Sequence, residues 1–203
     1  VRQIREISRC RDYAEYQCMS EANFNLVLNP EARFAARDFE ERLQIPSIEL
    51  RRLYQIEKIH SQYQALGAAL GTELRDEDMY QETKNAIARF REKYPNLTFT
   101  LGECMNGDPF ELAVALTQMG YSVSEIYGTV TDENFVYVQR LSKLAPELRV
   151  YSNLEPTMLN YDCSGAKADV TIGKDAGYYH PGCPNLQWNE DVQPFGYAGL
   201  RKL

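Results

Sequence analysis

Cysteine and histidine are the side chains that most readily hold metals or attack substrates, and this chain has few: Cys10, Cys18, Cys104, Cys163 and Cys183, with His60 and His180. Only His180 and Cys183 lie near one another in sequence. A soft metal could use such an imidazole and thiol, but two ligands do not complete a site, and Pro181-Gly182 between them makes a turn in any case. His60 precedes Gln64 by one helical turn and is expected on a solvated or half-buried face. No serine, histidine and carboxylate stand in a recognisable catalytic frame, so nucleophilic hydrolysis has no support. Gly102-Glu103-Cys104-Met105-Asn106-Gly107 opens onto a helix N-terminus, where an anion could sit. It matches neither GxGxxG nor a Gly-Lys-Ser/Thr phosphate loop. Asp108 at the cap would satisfy the free amides and repel phosphate, so a plain strand-to-helix turn is expected.

The elements that position these residues follow from periodicity. Residues 23–28 read as a short strand ended by Asn29-Pro30-Glu31, which supplies a cap, a first-turn proline and a first-turn acid. The helix begun there carries Ala32, Ala35, Ala36, Phe39 and Leu43 on one stripe until Ile45-Pro46 breaks it. Helical periods recur over 51–70, with Gly71 placed as a left-handed cap, and over 77–93 before Pro95. From 96 onward short β-like runs alternate with helices. Strands are predicted at 97–101, 122–127, 148–151, 168–172 and 185–188. Helices are predicted at 108–119 and about 132–144, the latter with Phe135, Val138, Leu141 and Leu144 inward.

This alternation predicts an α/β fold: a Rossmann-like parallel sheet with helices on both faces, preceded by a smaller, mostly helical α/β segment. The expected division is 1–75 as the end of a middle α/β domain, 76–95 as a connecting helix, and 96–203 as the Rossmann-like C-terminal domain. Strand ends near Gly102, Tyr127, Ser152 and Gly173 should then gather on one edge. Any pocket is expected there, lined by Glu103, Asn106, Asn153, Lys174 and Asn189.

Composition narrows the function. Of 203 residues, 44% are hydrophobic and 25% charged, and the formal net charge is −7. Residues 96–203 hold 7 basic and 13 acidic side chains, so no basic face is available to neutralise phosphates and nucleic acid is not an expected partner. No apolar run approaches the roughly 18 residues of a membrane span, and no basic-then-apolar leader stands at the start. Reduced thiols and a cytoplasmic location follow as expectations. The abrupt opening without a Met suggests a segment of a longer protein.

Two regions far apart in the chain carry a family resemblance. Asn25-Leu26-Val27-Leu28-Asn29, then a helix and Gln44-Ile45-Pro46, resembles the end of the middle domain in component 1 of nitrogenase-type oxidoreductases. There a strand, a cysteine, a helix and a Gly-Ile-Pro occur in that order. Ala168-Asp169-Val170-Thr171-Ile172-Gly173-Lys174, Gly182-Cys183-Pro184-Asn185-Leu186 and Pro194-Phe195-Gly196-Tyr197-Ala198-Gly199-Leu200 resemble that family's C-terminal ending. The resemblance implies an oxidoreductase fed by an ATP-dependent iron–sulfur reductase and paired with a homologous component 1 subunit. Cysteines for the electron-relay cluster lie upstream in that family. No cofactor is therefore expected in this segment, and an iron–sulfur cluster is left to the full-length protein or its complex.

In nitrogenase itself the catalytic cluster hangs from one cysteine and one histidine. The cysteine position falls on Asn29 and the histidine position near Asn189, and no histidine occurs from 181 to 203. Lys174 matches a lysine beside the cofactor pocket. A neutral amide is a poor substitute for thiolate on soft iron, so dinitrogen reduction is not expected. Asn29 has a structural alternative as a helix cap, and Lys174 one as a solvated lysine at a helix start. The resemblance yields no catalytic residue and no metal ligand here. It leaves three readings: a reductase of another substrate, a non-catalytic cofactor-assembly scaffold or cluster- and partner-binding paralogue, and a Rossmann-like ligand-binding domain without redox chemistry.

Overall fold

Val1–Arg51 and Arg52–Leu203 form two compact units in the computed structural model, which describes residues 3–163, 165–190 and 193–203. In the first unit, helix α1 (Tyr13–Gln17) is capped by Asp12, whose side chain accepts from the Glu15 amide. Strand β1 (Asn25–Val27) pairs in parallel with β2 (Ser47–Glu49) across helix α2 (Arg33–Leu43). Asn29 begins the turn that enters α2, and Gln44 leaves it in the left-handed region at φ 56°. The expected strand–helix–strand unit is present. The Arg33 guanidinium clamps Glu49 through two hydrogen bonds of 2.7 Å and holds its carboxyl below the usual range.

The second unit holds a five-stranded sheet in the order β5-β4-β3-β6-β7, with every neighbouring pair parallel. Its strands are β3 (Thr98–Gly102), β4 (Ser122–Tyr127), β5 (Arg149–Tyr151), β6 (Val170–Ile172) and β7 (Asn185–Leu186). All five residues of β3 are buried, as the central strand of a sheet covered on both faces requires. Helices α3 (Ile56–Ala69), α4 (Glu77–Lys93), α5 (Pro109–Gln118), α6 (Phe135–Leu144), α7 (Lys174–Tyr179) and α8 (Gly196–Lys202) complete the unit. No helix among the described residues is long and apolar enough to cross a membrane.

Three sequence expectations shift. The helix expected over 51–70 begins at Ile56, because Glu111 near the start of α5 accepts from the Tyr54 and Gln55 amides and from the Gln55 side chain, holding 52–55 outside the helix. This carboxylate is 1% exposed, and burial raises its pKa above the ordinary carboxylate value despite those donors. The helix expected from about 132 begins at Phe135, since Asn134 is engaged with Thr131 and Thr129 in the preceding turn. Its inward face carries Tyr137 and Leu141, while Phe135 and Leu144 point outward.

A bulge in β4 changes which residues face each side. Phe99 pairs with Val123 but Thr100 pairs with Glu125, so Ser124 is the extra residue. Val123 and Ile126 join the main core around α5, whereas Tyr127 joins a separate cluster with Met158 and Ala176 of α7.

Candidate functional site

From β3 the chain runs outward through β4 to β5, then returns to place β6 on the other side of β3. The strand order therefore reverses between β3 and β6, and open parallel sheets bind ligands outside the carboxyl ends of the strands at such a reversal. The expected gathering of strand ends is observed. Gly102 pairs with Tyr127, Tyr127 with Tyr151, and Leu101 with Ile172.

The residues at this edge are laced together by Asp175, in the first turn of α7. Its carboxylate accepts from the Glu103 amide at 2.9 Å, the Cys104 amide at 3.1 Å and the Asn153 side-chain amide at 2.7 Å. Asn153 also donates to Glu103 at 3.0 Å, and the second Glu103 oxygen accepts from the Thr129 amide at 2.7 Å. One network thus spans the ends of β3, β4, β5 and β6. Gly102 is required for it, because a Cβ there would lie 1.9 Å from the Asp175 carboxylate. Gly173, at φ 101°, lets the chain turn from β6 into α7 against the Gly102 carbonyl. The turn amides that could have cradled an anion are occupied by a side chain of the protein itself.

Asp108 caps α5 by accepting from the Phe110 and Glu111 amides, which bears out the plain strand-to-helix turn. Cys104 is exposed on that turn. Partial burial, together with the charges of Asp175 and Glu103, raises its thiol above the ordinary value against the opposing pull of Lys174.

A second constellation flanks this edge. Trp188 adopts φ 50°, a left-handed conformation that a bulky residue rarely accepts and that costs of order 1–3 kcal/mol. It is held there by burial and by three hydrogen bonds. The indole Nε1 donates to the Tyr54 hydroxyl, that hydroxyl donates to the Asn106 carbonyl, and the Asn106 amide donates to the Trp188 carbonyl, each at 2.7 Å. The Asn106 side chain reaches the same segment, donating to the Glu190 carbonyl and to Gln193.

The sequence-derived residues distribute as follows. Glu103 and Asn153 meet directly through the Asp175 network. Asn106 joins the segment that carries Asn189, and Asn189 itself is exposed. Lys174 is exposed at the start of α7, with its backbone amide donating to the Cys104 carbonyl. Asn29 belongs to the first unit, where its side chain accepts from the Glu31 amide at 3.1 Å in cap geometry. At the strand ends, where a pocket is expected, Asp175 and Asn153 hydrogen-bond to one another and to the turn after β3. A groove of about 280 Å³ lies in the first unit, lined by Tyr16, Gln17, Met19, Ser20, Phe39 and Leu43, and none of the expected site residues lines it.

The His180–Cys183 pair is a turn, with the Cys183 amide donating to the His180 carbonyl and the thiol turned to the Ala168 carbonyl. The His180 ring is 4% exposed and sits 2.8 Å from Glu125, which is 2% exposed. His60 is half-buried, as expected, with Nδ1 3.0 Å from Asp76. Asp175, Trp188 and the His180–Glu125 pair were missed from the sequence. The only local sign of Asp175 is an acid placed just after a strand and Gly173.

Among the described residues, no three of His, Cys, Asp and Glu are grouped to hold a metal ion. At the two positions where the resemblance places cluster ligands, one amide is spent on a helix cap and the other is exposed. Neither residue fits a thiolate- and imidazole-held cluster.

A family model described as nitrogenase component 1 type oxidoreductase matches residues 5–203. A solved structure described as "Nitrogenase Cp1 at pH 6.5" superposes with a TM-score of 0.68 at 16% identity, covering 91% of this chain. The likeness at that identity is one of fold, and the chain spans 44% of that nitrogenase chain. No curated protein matches the sequence.

Proposed function

The chain belongs to the nitrogenase component 1-type oxidoreductase family, and from that membership we propose that it is part of a component 1-like subunit that passes electrons to a substrate other than dinitrogen. The observation that carries the second half of this reading is the donor set. Asn29 and Asn189 stand where the resemblance places cysteine and histidine, and Asn29 is committed to capping the turn into α2. An amide oxygen supplies neither the soft charge nor the basicity that iron in such a cluster requires.

In this proposal the strand-end edge between β3 and β6 faces the reacting group; by sequence, Asn29 in the first unit, and Lys174 and Asn189 in the second, each match a position of the family's cofactor-pocket residues without its ligand type. Lys174 presents its side chain to solvent at the start of α7. The Trp188–Tyr54–Asn106 hydrogen bonds hold the segment bearing Asn189 in one conformation, as a binding surface needs. An iron–sulfur cluster would be held outside this segment, by other parts of the full-length protein or by its complex. The proposed partners are a homologous component 1 subunit and an ATP-dependent iron–sulfur reductase, in the cytoplasm.

A second reading, a non-catalytic cofactor-assembly scaffold or cluster- and partner-binding paralogue, is favoured by one feature. The Asp175 carboxylate takes up the Glu103 and Cys104 amides at the strand-end edge, donors that an anionic substrate could otherwise use. Iron, sulfide and molybdenum analysis of the full-length protein, purified without oxygen together with its co-purifying subunit, tests the proposal. Iron and acid-labile sulfide without molybdenum is the expected result. Molybdenum in proportion to the subunit would overturn the exclusion of dinitrogen chemistry, and absence of iron from the whole complex would overturn the redox role.

A further inference from the structure

Beyond the carboxyl ends of β4 and β5 the chain leaves the sheet through two neighbouring turns. The Gly128 amide donates to the Tyr151 carbonyl at 2.8 Å, so the pairing of the two strands continues past Tyr127. Glu103 then ties the turns together, one oxygen accepting from the Thr129 amide at 2.7 Å and the other from the Asn153 side chain at 3.0 Å. Val130 and Leu154 come directly after these two anchors.

Both turns are internally fixed, and both leave apolar side chains in solvent. In the first, the Thr131 amide donates to Asn134 Oδ1 at 2.8 Å and the Asn134 side chain donates to the Thr129 carbonyl at 3.1 Å. Val130, Phe135 and Val136 are nonetheless 46% to 58% exposed. In the second, Met158 packs with Tyr127 and Ala176 and anchors the short helical turn Pro156–Asn160, while Leu154 and Leu159 are 75% and 86% exposed. Single exposed apolar residues are ordinary on a protein surface. Five on two turns joined by one carboxylate make a concentrated apolar surface of the kind that marks an interaction site.

The charges on these turns narrow the choice of partner. Residues 128–139 and 152–162 include Asp132, Glu133, Glu155 and Asp162 and no lysine or arginine. Arg140, the next cation along α6, donates to the Gln55 side chain at 3.1 Å, and Arg149 stands at the opposite end of β5. Exposed Lys174 follows β6, two strands away from β4. A second copy of this chain, docked by the same face, would set carboxylates against carboxylates, and an anionic lipid surface would be repelled in the same way.

We propose that this β4–β5 end of the sheet edge docks a partner protein through a basic amphipathic segment, whose apolar side chains cover Val130, Phe135, Val136, Leu154 and Leu159 and whose flanking lysines or arginines meet the four carboxylates. The apolar contacts supply affinity, and the charges supply selection and speed of encounter. Because hydrogen bonds already fix both turns, little ordering of this surface accompanies docking. The inference goes beyond the electron-transfer reading and stands apart from it, since it requires nothing to bind between β3 and β6.

The test is fluorescence anisotropy of the full-length protein with a labelled two-heptad peptide of leucine and lysine, and with its counterpart carrying glutamate in place of lysine. The lysine peptide should bind saturably and more weakly as salt is added, and the glutamate peptide should not bind. Val136→Ser combined with Leu154→Ser should weaken the lysine peptide about tenfold. Asp132→Asn combined with Glu155→Gln should weaken it severalfold and flatten the salt dependence. All four positions are exposed, and a melting midpoint equal to the parent's shows that the fold is kept. Equal affinity for the parent and the serine variant would overturn the proposal, as would equal binding of the two peptides. So would an absence of binding, the result expected if the protein's own chain covers this face. A concentration-dependent dimer in light scattering that the serine variant loses would also overturn it, by assigning the face to a second copy.

Discussion

Removing the Asp175 carboxylate is the sharpest perturbation of the strand-end edge. Asp175→Ala deletes the acceptor of three hydrogen bonds, from the Glu103 amide, the Cys104 amide and the Asn153 side chain. Hydrogen bonds to a charged partner contribute roughly 1.5–3 kcal/mol each. The site is half-buried, so water recovers part of this, and a net loss of about 2–4 kcal/mol is expected. For a unit of this size that is a fall in melting midpoint of about 5–15 °C. Asp175→Asn should be nearly as damaging, because its NH2 group would face an N–H donor. Formate, which can re-enter the vacated position, should raise the midpoint of Asp175→Ala more than that of the parent. Urea and thermal melts followed by circular dichroism measure all three effects. A loss under about 0.5 kcal/mol, the scale of an ordinary surface change, would refute the view that this carboxylate holds four strand ends together.

Three further outcomes follow from named contacts. Asn29→Ala should cost about 0.5–2 kcal/mol, with Asn29→Ser or Asn29→Asp nearly neutral; an unchanged melting midpoint for Asn29→Ala would remove the cap assignment. Burial alone would raise the Asp76 pKa, but hydrogen bonds from Tyr197, His60 and Gln64 outweigh it and leave it lowered. A carboxyl lowered on folding adds stability above its unfolded value, near 4, and loses it as pH falls through the folded value. Asp76→Asn should therefore flatten the acid limb of a stability–pH profile, and an acid limb identical to the parent's would count against the network. Gly173→Ala, at φ 101° and with a Cβ 3.0 Å from the Gly102 carbonyl, should lose about 1–3 kcal/mol in urea denaturation, and a neutral result would show the turn to be adaptable.

What was legible in the sequence was local. Helix α4 has the bounds expected for it, 77–93, because its acidic first turn, its apolar stripe and Pro95 all lie within its own segment. The parallel sheet followed from the alternation of strand and helix, and the meeting of strand ends followed from the sheet. The start of α3 did not follow, since the carboxylate that holds 52–55 out of the helix comes from Glu111, more than fifty residues away. The partner of His180 was equally out of reach. Glu125 lies 55 residues earlier, and only the β4 bulge turns it toward α7. At the strand-end edge, Glu103 and Asn153 were found from topology, but the residue that joins them, Asp175, looks in sequence like any acid in the first turn of a helix.

The central claim, that this family member receives electrons without the ligands of the dinitrogen-reducing cluster, is tested most directly by electron delivery. The full-length protein and the proposed partner subunit would be mixed without oxygen with the proposed ATP-dependent iron–sulfur reductase, dithionite and ATP, and freeze-quenched for EPR. The expected result is an ATP-dependent one-electron change in an iron–sulfur signal of the complex, with no ammonium formed under dinitrogen. An EPR spectrum unaltered by ATP and reductase, or ammonium produced in step with ATP hydrolysis, would contradict it.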